Sequence, residues 1–418
     1  MSVSLPKLRG EWLQCEQSLA LMELFASHGH TARFVGGAVR NALLGEPVND
    51  LDVAVDALPQ TVMELAQSAG FKAIGTGLSH GTVTVVIGDK TYEVTTLRID
   101  MKTYGRHADV AFTQSWAEDA ARRDFTINAL YAGADGVVFD PLGGYGDLVA
   151  RRVRFIGDPR ARITEDSLRI LRFFRFSAQY GAGEVDGAQE VDAAGLAACV
   201  ELQQGLRSLS AERIGAELMR LLRMPRAAQV LVIMHAHGLL VPLTGRVPHL
   251  TRFQRWLTFE KILGLPLCSV HRLGALFVLI SEDADRLAGC LRLSNQEKRR
   301  LERWAQRPGA AGFEPSEIAE EKRAHLLFYQ LRDEYQISVA IQFLMSQAAA
   351  DDLTWRNLYE LPKRWQAPDF PLKGQDLLDH GMKPGPLLGK KLRKLEQHWI
   401  SSDFALSAKE LLKQLDSR

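Results

Sequence analysis

Two aspartates separated by one residue, Asp50 and Asp52, are the strongest chemical feature of the N-terminal third of the chain. They begin the segment DLDVAV, in which charged and apolar residues alternate before an apolar end, as is typical of a strand. Side chains two residues apart on a strand point to the same face, so the two carboxylates share a small volume. Carboxylates this close repel each other unless a cation lies between them, and their hard oxygen ligands suit Mg²⁺. The alternative is a strand edge with two solvated carboxylates.

Two neighbouring features could take part in the same chemistry. In FVGGAVR, a strand turns through Gly36 and Gly37 into a predicted helix, where backbone without side chains and unpaired amide groups can approach a phosphate. An ordinary strand-to-helix connection is the alternative. Glu93 lies in TYEVTTL, where strand alternation places it opposite Tyr92 and Val94. It is therefore either a third carboxylate of the same site or a solvent-facing residue.

The elements that must position these residues change in type along the chain. The first third contains short β-branched runs, RFVGG, DLDVAV, TVTVVI and TYEVTTL, with helical stretches between them. After about residue 155, helical spacing dominates, as in EDSLRILRFFRF and AERIGAELMRLL. Proline and glycine interrupt that spacing near 181–192, 242–248, 307–315 and 362–371. We predict an α+β protein, with a small mixed-sheet head followed by a mostly helical neck, body and tail.

Composition limits the class of protein. The chain has 418 residues, of which 46 % are hydrophobic. It is longer than a single hydrophobic core usually supports, so we expect two or more packed units. The formal net charge of +1 means that any nucleic-acid-binding surface must be local. The cysteines are scattered without the spacing of a zinc site, which favours reduced thiols: Cys15, Cys199, Cys268 and Cys290. No signal-peptide core or membrane-length apolar stretch occurs, so we expect a cytoplasmic protein without membrane association.

Several segments, in one order, resemble a known family. They are FVGGAVRNALLG, NDLDVAV, GLSHGTVTV, YEVTT, AEDAARRDFTINALY, FDPLGGYGDL, RFIGDPRARITEDSLRILRFFRF and SAERIGAELMRLL, and they cover about residues 33–222. Together they resemble the polymerase-β-type nucleotidyltransferase superfamily and, within it, the class II tRNA nucleotidyltransferases and bacterial poly(A) polymerases. The resemblance implies addition of C, C and A to the 3′ end of tRNA from CTP and ATP. It also implies Mg²⁺ as the cofactor and pyrophosphate as the leaving group.

The resemblance assigns roles to individual residues. It implies that Asp50 and Asp52 are catalytic metal ligands and that Glu93 is the third catalytic carboxylate. The nucleotide-binding residues that it implies are Gly36, Gly37, Arg40, Arg123, Asp166, Arg169, Arg172 and Arg175. Asn41 departs from the family, which usually carries an aspartate there, and we expect this to weaken a local salt bridge. The implied division is a catalytic head at 1–155, a neck with the template helix at 156–245, a body at 246–362 and an RNA-binding tail at 363–418.

Base selection is predicted to lie in TEDSLRILR. Thr164 is a plausible helix cap, and Asp166 and Arg169, three residues apart, would share a helix face. A carboxylate and a guanidinium complement the amine and ring nitrogen of cytosine and adenine, whereas uracil and guanine would leave groups unpaired at about 1–3 kcal/mol each. The alternative is an intrahelical ion pair. Arg175 falls nearly opposite Asp166, and the phenylalanines between these positions are predicted to be core.

Partner binding is predicted for the C-terminal region. The run GKKLRK, residues 389–394, provides local positive charge that could hold tRNA phosphates, or it could be a solvated helix face. We infer no obligatory protein partner.

Several alternatives to complete CCA addition stay open. Poly(A) polymerases and enzymes that add only CC or only A share the same motifs. In the segment 98–109, where the family has a mobile loop tied to the switch from C to A addition, the sequence GRHA departs from the commoner form. A non-catalytic RNA-binding protein would be expected to lack a metal carboxylate, and a small-molecule transferase would not need Asp166 or Arg169.

Overall fold

The computed structural model describes residues 5–104, 107–182, 184–185, 188–189, 191–305, 321–346, 348–349 and 351–416. Its description does not extend to the side chains of residues 102–104, 107–109, 184–185, 188–189 and 416. The chain divides into two compact units, one formed by Met1–Leu250 with Arg286–Ser294 and the other by Thr251–Asp285 with Asn295–Arg418. The finer division into head, neck, body and tail stays a prediction. The predicted break at 307–315 lies outside the described residues.

A mixed sheet organises the first unit. The strands are β1 Ala32–Val35, β2 Leu51–Val55, β3 Lys72–Gly77, β4 Thr82–Ile87, β5 Lys90–Thr96, β6 Arg98–Tyr104, β7 His107–Phe112, β8 Tyr131–Ala132, β9 Val138–Phe139, and a small pair, β10 Glu184–Val185 and β11 Ala188–Gln189. Within the described residues, the sheet has seven strands in the order β3-β4-β5-β2-β1-β8-β9, and β6 pairs with β7 in a separate hairpin. The predicted mixed-sheet head is confirmed.

The centre of the sheet is built from alternating residues. Strand β2 runs antiparallel to β1 and parallel to β5, and Asp52 lies opposite Glu93 in the β2–β5 register. On the inward side, Val53, Tyr92 and Val94 are fully buried, so the apolar residues anchor both strands in the core. The period of two then fixes both acidic residues on the other face.

Helices of the first unit surround the sheet and continue beyond it. They are α1 Glu11–Gln14, α2 Glu16–Ser27, α3 Gly37–Leu44, α4 Pro59–Ser68, α5 Trp116–Ala121, α6 Gly144–Val149, α7 Pro159–Glu165, α8 Leu168–Tyr180, α9 Ala193–Glu201, α10 Ala211–Leu221, α11 Ala227–Ala236, α12 Val241–Thr244 and, ending in this unit, α15 Ser281–Leu291. Helix α8 packs against α10 and α11. Its Phe173, Phe174 and Phe176 are buried, which confirms their prediction as core.

Helices also form the second unit. They are α13 Leu250–Leu263, α14 Ser269–Phe277, α16 Asn295–Ala305, α17 Glu321–Leu331, α18 Tyr335–Met345, α19 Leu353–Tyr359, α20 Gly374–Asp379, α21 Pro386–Ser401 and α22 Ala408–Asp416. A separate core at the C-terminal end contains Leu377, Leu395, Trp399 and Leu411. Among the residues that the structure describes, no helix combines the length and the apolar character needed to cross a bilayer.

Candidate active site

The three predicted carboxylates line one cleft. Asp52 and Glu93 are direct neighbours on parallel strands, and Asp50 immediately precedes β2. The cleft has a volume of about 1030 Å³, and its lining also includes Trp12, Lys90, Arg172 and Arg220. The structure therefore brings Asp50, Asp52 and Glu93 together, as the sequence predicts. Arg172, one of the predicted nucleotide-binding arginines, lines the same cleft.

Electrostatics make this cleft suitable for a cation. Burial raises the pKa of Asp52, the neighbouring charges of Glu93 and Asp50 raise it further, and Arg123 opposes them. Within the described residues, no three Asp, Glu, His or Cys side chains form a ready-made metal cage. Mg²⁺ does not require one, because it is commonly held by one or two carboxylates together with waters and substrate phosphates. The donor set therefore fits Mg²⁺ bound jointly by protein and nucleotide.

The predicted glycine turn joins β1 to α3. Gly36 has φ 68° and ψ −117°, a conformation that L-residues other than glycine rarely adopt, and α3 begins at Gly37. A Cβ added at Gly36 would lie 3.8 Å from Arg123 Nη1, so the turn passes close to that guanidinium. The backbone amides at the start of α3 are thus presented beside a cation, an arrangement that suits an anionic ligand.

Arg40 lies on α3 and is 7 % exposed. Its guanidinium donates hydrogen bonds to Asn128 Oδ1, to Tyr180 Oη at 2.6 Å and to Asn41 Oδ1 at 3.0 Å. Burial lowers the pKa of Arg40, and the interaction with Tyr180 opposes that shift. Asn41 also accepts a hydrogen bond from Tyr180 and donates one to the carbonyl of Pro47, so it keeps the local connection with a neutral side chain. A nucleotide contact by Arg40 stays a prediction.

Arg123 is held at the end of α5 by Asp119 and Tyr131. It donates to Asp119 Oδ2 at 3.1 Å and to Tyr131 Oη at 3.3 Å. Burial alone would lower the pKa of Arg123, but the adjacent Asp119 raises it above its ordinary value. The cation is therefore permanent and fixed beside the glycine turn, which suits the predicted phosphate contact.

The predicted helix start at Thr164 is wrong. Thr164 lies inside α7, which begins after Asp158; the Asp158 side chain accepts hydrogen bonds from the backbone of Arg160 and Ala161, and Pro159 takes the first helical position. The Asp-Pro pair is the stronger start signal. Helix α7 ends at Glu165, and the backbone of the next residue, Asp166, is extended at φ −155° and ψ 106°.

This break also corrects the predicted shared helix face of Asp166 and Arg169. Asp166 precedes α8, and its carboxylate accepts hydrogen bonds from the backbone of Leu168 and from Arg213 Nη2. Arg169 donates instead to Glu165 and to the carbonyl of Arg162. The two side chains are therefore oriented by separate partners, although they are close in sequence.

Arg172 and Arg175 project from α8 onto two carboxylates with little solvent exposure, 11 % for Asp124 and 4 % for Glu217. Arg172 donates to Asp124 Oδ2 through Nε at 2.8 Å and through Nη2 at 2.5 Å. Arg175 Nε donates to Glu217 Oε2 at 2.6 Å, and Glu217 also pairs with Arg220 at 3.1 Å and lies 3.9 Å from Arg172. One carboxylate thus orients three arginines, two of which, Arg172 and Arg220, line the cleft.

Asp124 joins the head to α8. It accepts from Asn128 as well as from Arg172, and Asn128 in turn accepts from Arg40. Burial alone would raise the pKa of Asp124, but Arg172 and Asn128 lower it to about 2. Two of the predicted arginines therefore belong to one buried polar network.

Sequence reasoning missed the carboxylates that hold these arginines. Asp124 lies in the quoted motif ARRDFTINALY, and the presence of an acid directly after two arginines was a usable signal. Glu217 is 3 % exposed although it occurs in the amphipathic run AERIGAELMRLL. Its position on the apolar side of α10 was the available signal, because an acid there needs a cationic partner.

Two other predicted regions are only partly described. The strands β6 and β7 of segment 98–109 form an antiparallel hairpin, but within GRHA residues 105–106 and the His107 side chain lie outside the described residues. The run at 389–394 lies in the first half of α21, where Lys390, Arg393 and Lys394 are exposed and Leu392 packs toward the C-terminal core. That surface could bind phosphates, and its role stays a prediction.

Two family models match the chain. One describes the poly A polymerase head domain and covers residues 32–154. The other describes a probable RNA and SrmB-binding site of polymerase A and covers residues 190–253. The first match contains the glycine turn and all three carboxylates of the cleft.

Relatives and solved structures match over nearly the full length. The mitochondrial CCA tRNA nucleotidyltransferase 1 of mouse is 34 % identical over 94 % of this chain and 88 % of its own length. The CCA-adding enzyme of Latilactobacillus sakei is 30 % identical over 95 % of this chain and 96 % of its own. The structure of the Bacillus stearothermophilus CCA-adding enzyme in complex with CTP is 25 % identical, with a TM-score of 0.70 over 96 % of this chain and 97 % of that one. The chain therefore belongs to the family of CCA-adding tRNA nucleotidyltransferases.

Proposed function

We propose that this protein adds C, C and A to the 3′ end of tRNA from CTP and ATP, without a nucleic-acid template. The observation that carries the proposal is the cleft in which Asp52 and Glu93 are register neighbours and Asp50 and Arg172 share the lining. The similarity to CCA-adding enzymes extends over nearly the full length of the chain, and one of these enzymes was solved with CTP. This similarity favours CCA addition over the reaction of another kind of nucleotidyltransferase.

Magnesium is the cofactor that we propose. Asp50 and Asp52 would hold it, with Glu93 beside them, and phosphate oxygens of the nucleotide would complete its ligands. When bound, the metal would neutralise charge on the attacking and leaving oxygens and lower the pKa of the RNA hydroxyl.

The reaction exchanges one phosphoanhydride bond for one phosphodiester bond. The 3′-hydroxyl oxygen of the RNA attacks the α-phosphorus, the bond to the β-phosphate oxygen breaks, and pyrophosphate leaves with its electron pair. Glu93, which lines the same cleft, would accept the hydroxyl proton. The arginines Arg123 and Arg172 are held by Asp119 and Asp124, so they could bind phosphate or ribose oxygens without reorganising.

Base choice would come from Asp166 and Arg169. Cytosine and adenine both present an amine donor next to a ring-nitrogen acceptor, which a carboxylate and a guanidinium complement. Uracil and guanine would leave one protein group without a partner at each position, at about 1–3 kcal/mol per group. The separate anchoring of the two side chains suits this purpose. If Asp166 and Arg169 formed an ion pair with each other, that pair would have to break each time a nucleotide binds.

The tRNA partner and the compartment are proposals of the same kind. Exposed Lys390, Arg393 and Lys394 on α21 would bind tRNA phosphates without reading sequence. A Thermotoga maritima CCA-adding enzyme solved with tRNA has the same fold, with a TM-score of 0.69 at 17 % identity. The compartment that we propose is the cytoplasm, and the four free cysteine thiols support a reducing environment.

An extension assay tests the proposed function. Purified protein and Mg²⁺ would be incubated with tRNA transcripts that lack CCA, end in C, or end in CC, with CTP alone, ATP alone or both. We expect CTP to be added to the first two, ATP to the third, and both nucleotides to complete every transcript. Long A tails would indicate a poly(A) polymerase, addition of CC alone or A alone would indicate a partial enzyme, and no incorporation would refute the proposal.

A further inference from the structure

Arg213 contacts Asp166, the carboxylate proposed to read the base. Arg213 is not among the site residues predicted from the sequence. Its Nη2 donates to Asp166 Oδ2 at 2.6 Å, and the two side chains are only 21 % and 16 % exposed. The other oxygen, Asp166 Oδ1, accepts the backbone N–H of Leu168 at 3.1 Å. Each carboxylate oxygen therefore has one fixed donor, and each retains acceptor capacity for a further donor.

The helix that carries Arg213 is a rigid support. Helix α10 packs against α8, and its Ile214, Leu218 and Leu221 are buried. At Gly215 the backbone approaches Leu291 so closely that an added Cβ would clash with the Leu291 carbonyl oxygen. Helix α10 is thus fixed by its packing, and Arg213 reaches Asp166 from this helix.

Asp166 needs such a partner because its backbone provides little restraint. It lies in the extended break between α7 and α8, where no helix fixes its rotamer. In the described residues, no hydrogen bond links its side chain to that of Arg169, which is held by Glu165 and the Arg162 carbonyl. The relative orientation of the two base-reading groups is therefore set by their separate partners.

We propose that Arg213 is a specificity-determining positioning residue for nucleotide selection, an inference that rests on the proposed function. It keeps the Asp166 side chain turned so that a carboxylate oxygen accepts the exocyclic amine of cytosine or adenine. Arg213 itself does not touch the base. Without it, Asp166 can rotate away, the amine loses its acceptor, and the carbonyl of uracil no longer meets a fixed negative charge.

The test compares Arg213→Gln and Arg213→Lys with Arg292→Gln. The control residue Arg292 lies 3.6 Å from Glu212, which is next to Arg213 on α10. The Arg292 side chain is 67 % exposed, so its removal should affect little else. We expect Arg213→Gln to lower kcat/KM for CTP by about 10- to 100-fold, mainly through KM, and to lower the preference for CTP over UTP by a similar factor. Arg213→Lys should recover part of the preference, and Arg292→Gln should match the wild type.

A double-mutant cycle separates positioning from general stability. If Arg213 acts through Asp166, then Arg213→Gln should cause no further loss of preference in a protein that already carries Asp166→Asn. Unchanged preference in Arg213→Gln, or an equal loss for CTP and UTP with a lowered Tm, would overturn the inference.

Calorimetric binding of CTP and UTP to the wild type and to Arg213→Gln gives the same comparison without turnover. If the wild type binds CTP but does not extend tRNA, the proposed function is refuted. The binding data for CTP and UTP would still decide the role of Arg213.

Discussion

Replacing Asp124 with asparagine should weaken the connection between the head and α8 by a predictable amount. The pKa of Asp124 falls from its ordinary 3.8 to about 2, nearly two units, because Arg172 and Asn128 outweigh the effect of burial. At about 1.4 kcal/mol per unit, the ionised carboxylate contributes about 2 kcal/mol to the free energy of unfolding. Its side chain is 11 % exposed, so solvent screens this interaction only slightly.

The contribution should depend on pH in a defined direction. Because the folded-state pKa lies below the unfolded one, the stabilisation is fully present above about pH 5 and is lost as pH falls toward 2. Asp124→Asn lacks this charge at every pH. The difference in unfolding free energy between wild type and variant should therefore be about 2 kcal/mol at pH 7 and should shrink by about half near pH 3.

Urea unfolding of the wild type and Asp124→Asn at several pH values measures this difference. Asp369→Asn is the matched control, because it removes an aspartate 3.4 Å from Arg332 that is fully exposed. The control should leave the free energy of unfolding nearly unchanged, because an ion pair exposed to solvent contributes little. A difference for Asp124→Asn that is absent at pH 7, or that does not change down to pH 3, would refute the assignment of the stabilisation to the ionised carboxylate.

Three further predictions concern the cleft. Asp52→Asn should lower nucleotide incorporation by more than about 1000-fold, with CTP binding largely kept in calorimetry; near-normal turnover would exclude Asp52 as a metal ligand. Glu217→Gln should raise KM for CTP more than it lowers kcat, because it releases Arg175, Arg220 and part of the support of Arg172; a kcat effect alone would contradict this role. Removal of divalent cations with EDTA should abolish incorporation, and Mg²⁺ should restore it while Ca²⁺ restores less; full activity in EDTA would contradict a metal-dependent site.

The sequence predicted the parts of the site that depend on local geometry. Alternation in DLDVAV and TYEVTTL places Asp52 and Glu93 on one face, and the parallel register of β2 and β5 makes them neighbours. The double glycine correctly predicted the turn into α3, where Gly36 adopts a positive φ. These features depend on the alternation of side chains along a strand and on the backbone conformations open to glycine. A few neighbouring residues are enough to show both.

Contacts between distant segments could not be predicted in the same way. Arg213 and Asp166 are brought together by the packing of α10, and Glu217 meets Arg175 through the contact between α8 and α10. Residue spacing carries no information on such pairs. The wrong helix start at Thr164 has a local cause, because Asp158 and Pro159 form a better start and Asp166 ends that helix early.

The most direct test of the central claim is the intact mass of the product formed from tRNA lacking CCA when all four nucleoside triphosphates are present with Mg²⁺. We predict one product, heavier than the substrate by two cytidylates and one adenylate, with no further growth over time. A ladder of adenylates, a product that contains uridylate or guanylate, or an unchanged tRNA would contradict the proposal that this protein builds and ends the CCA sequence by itself.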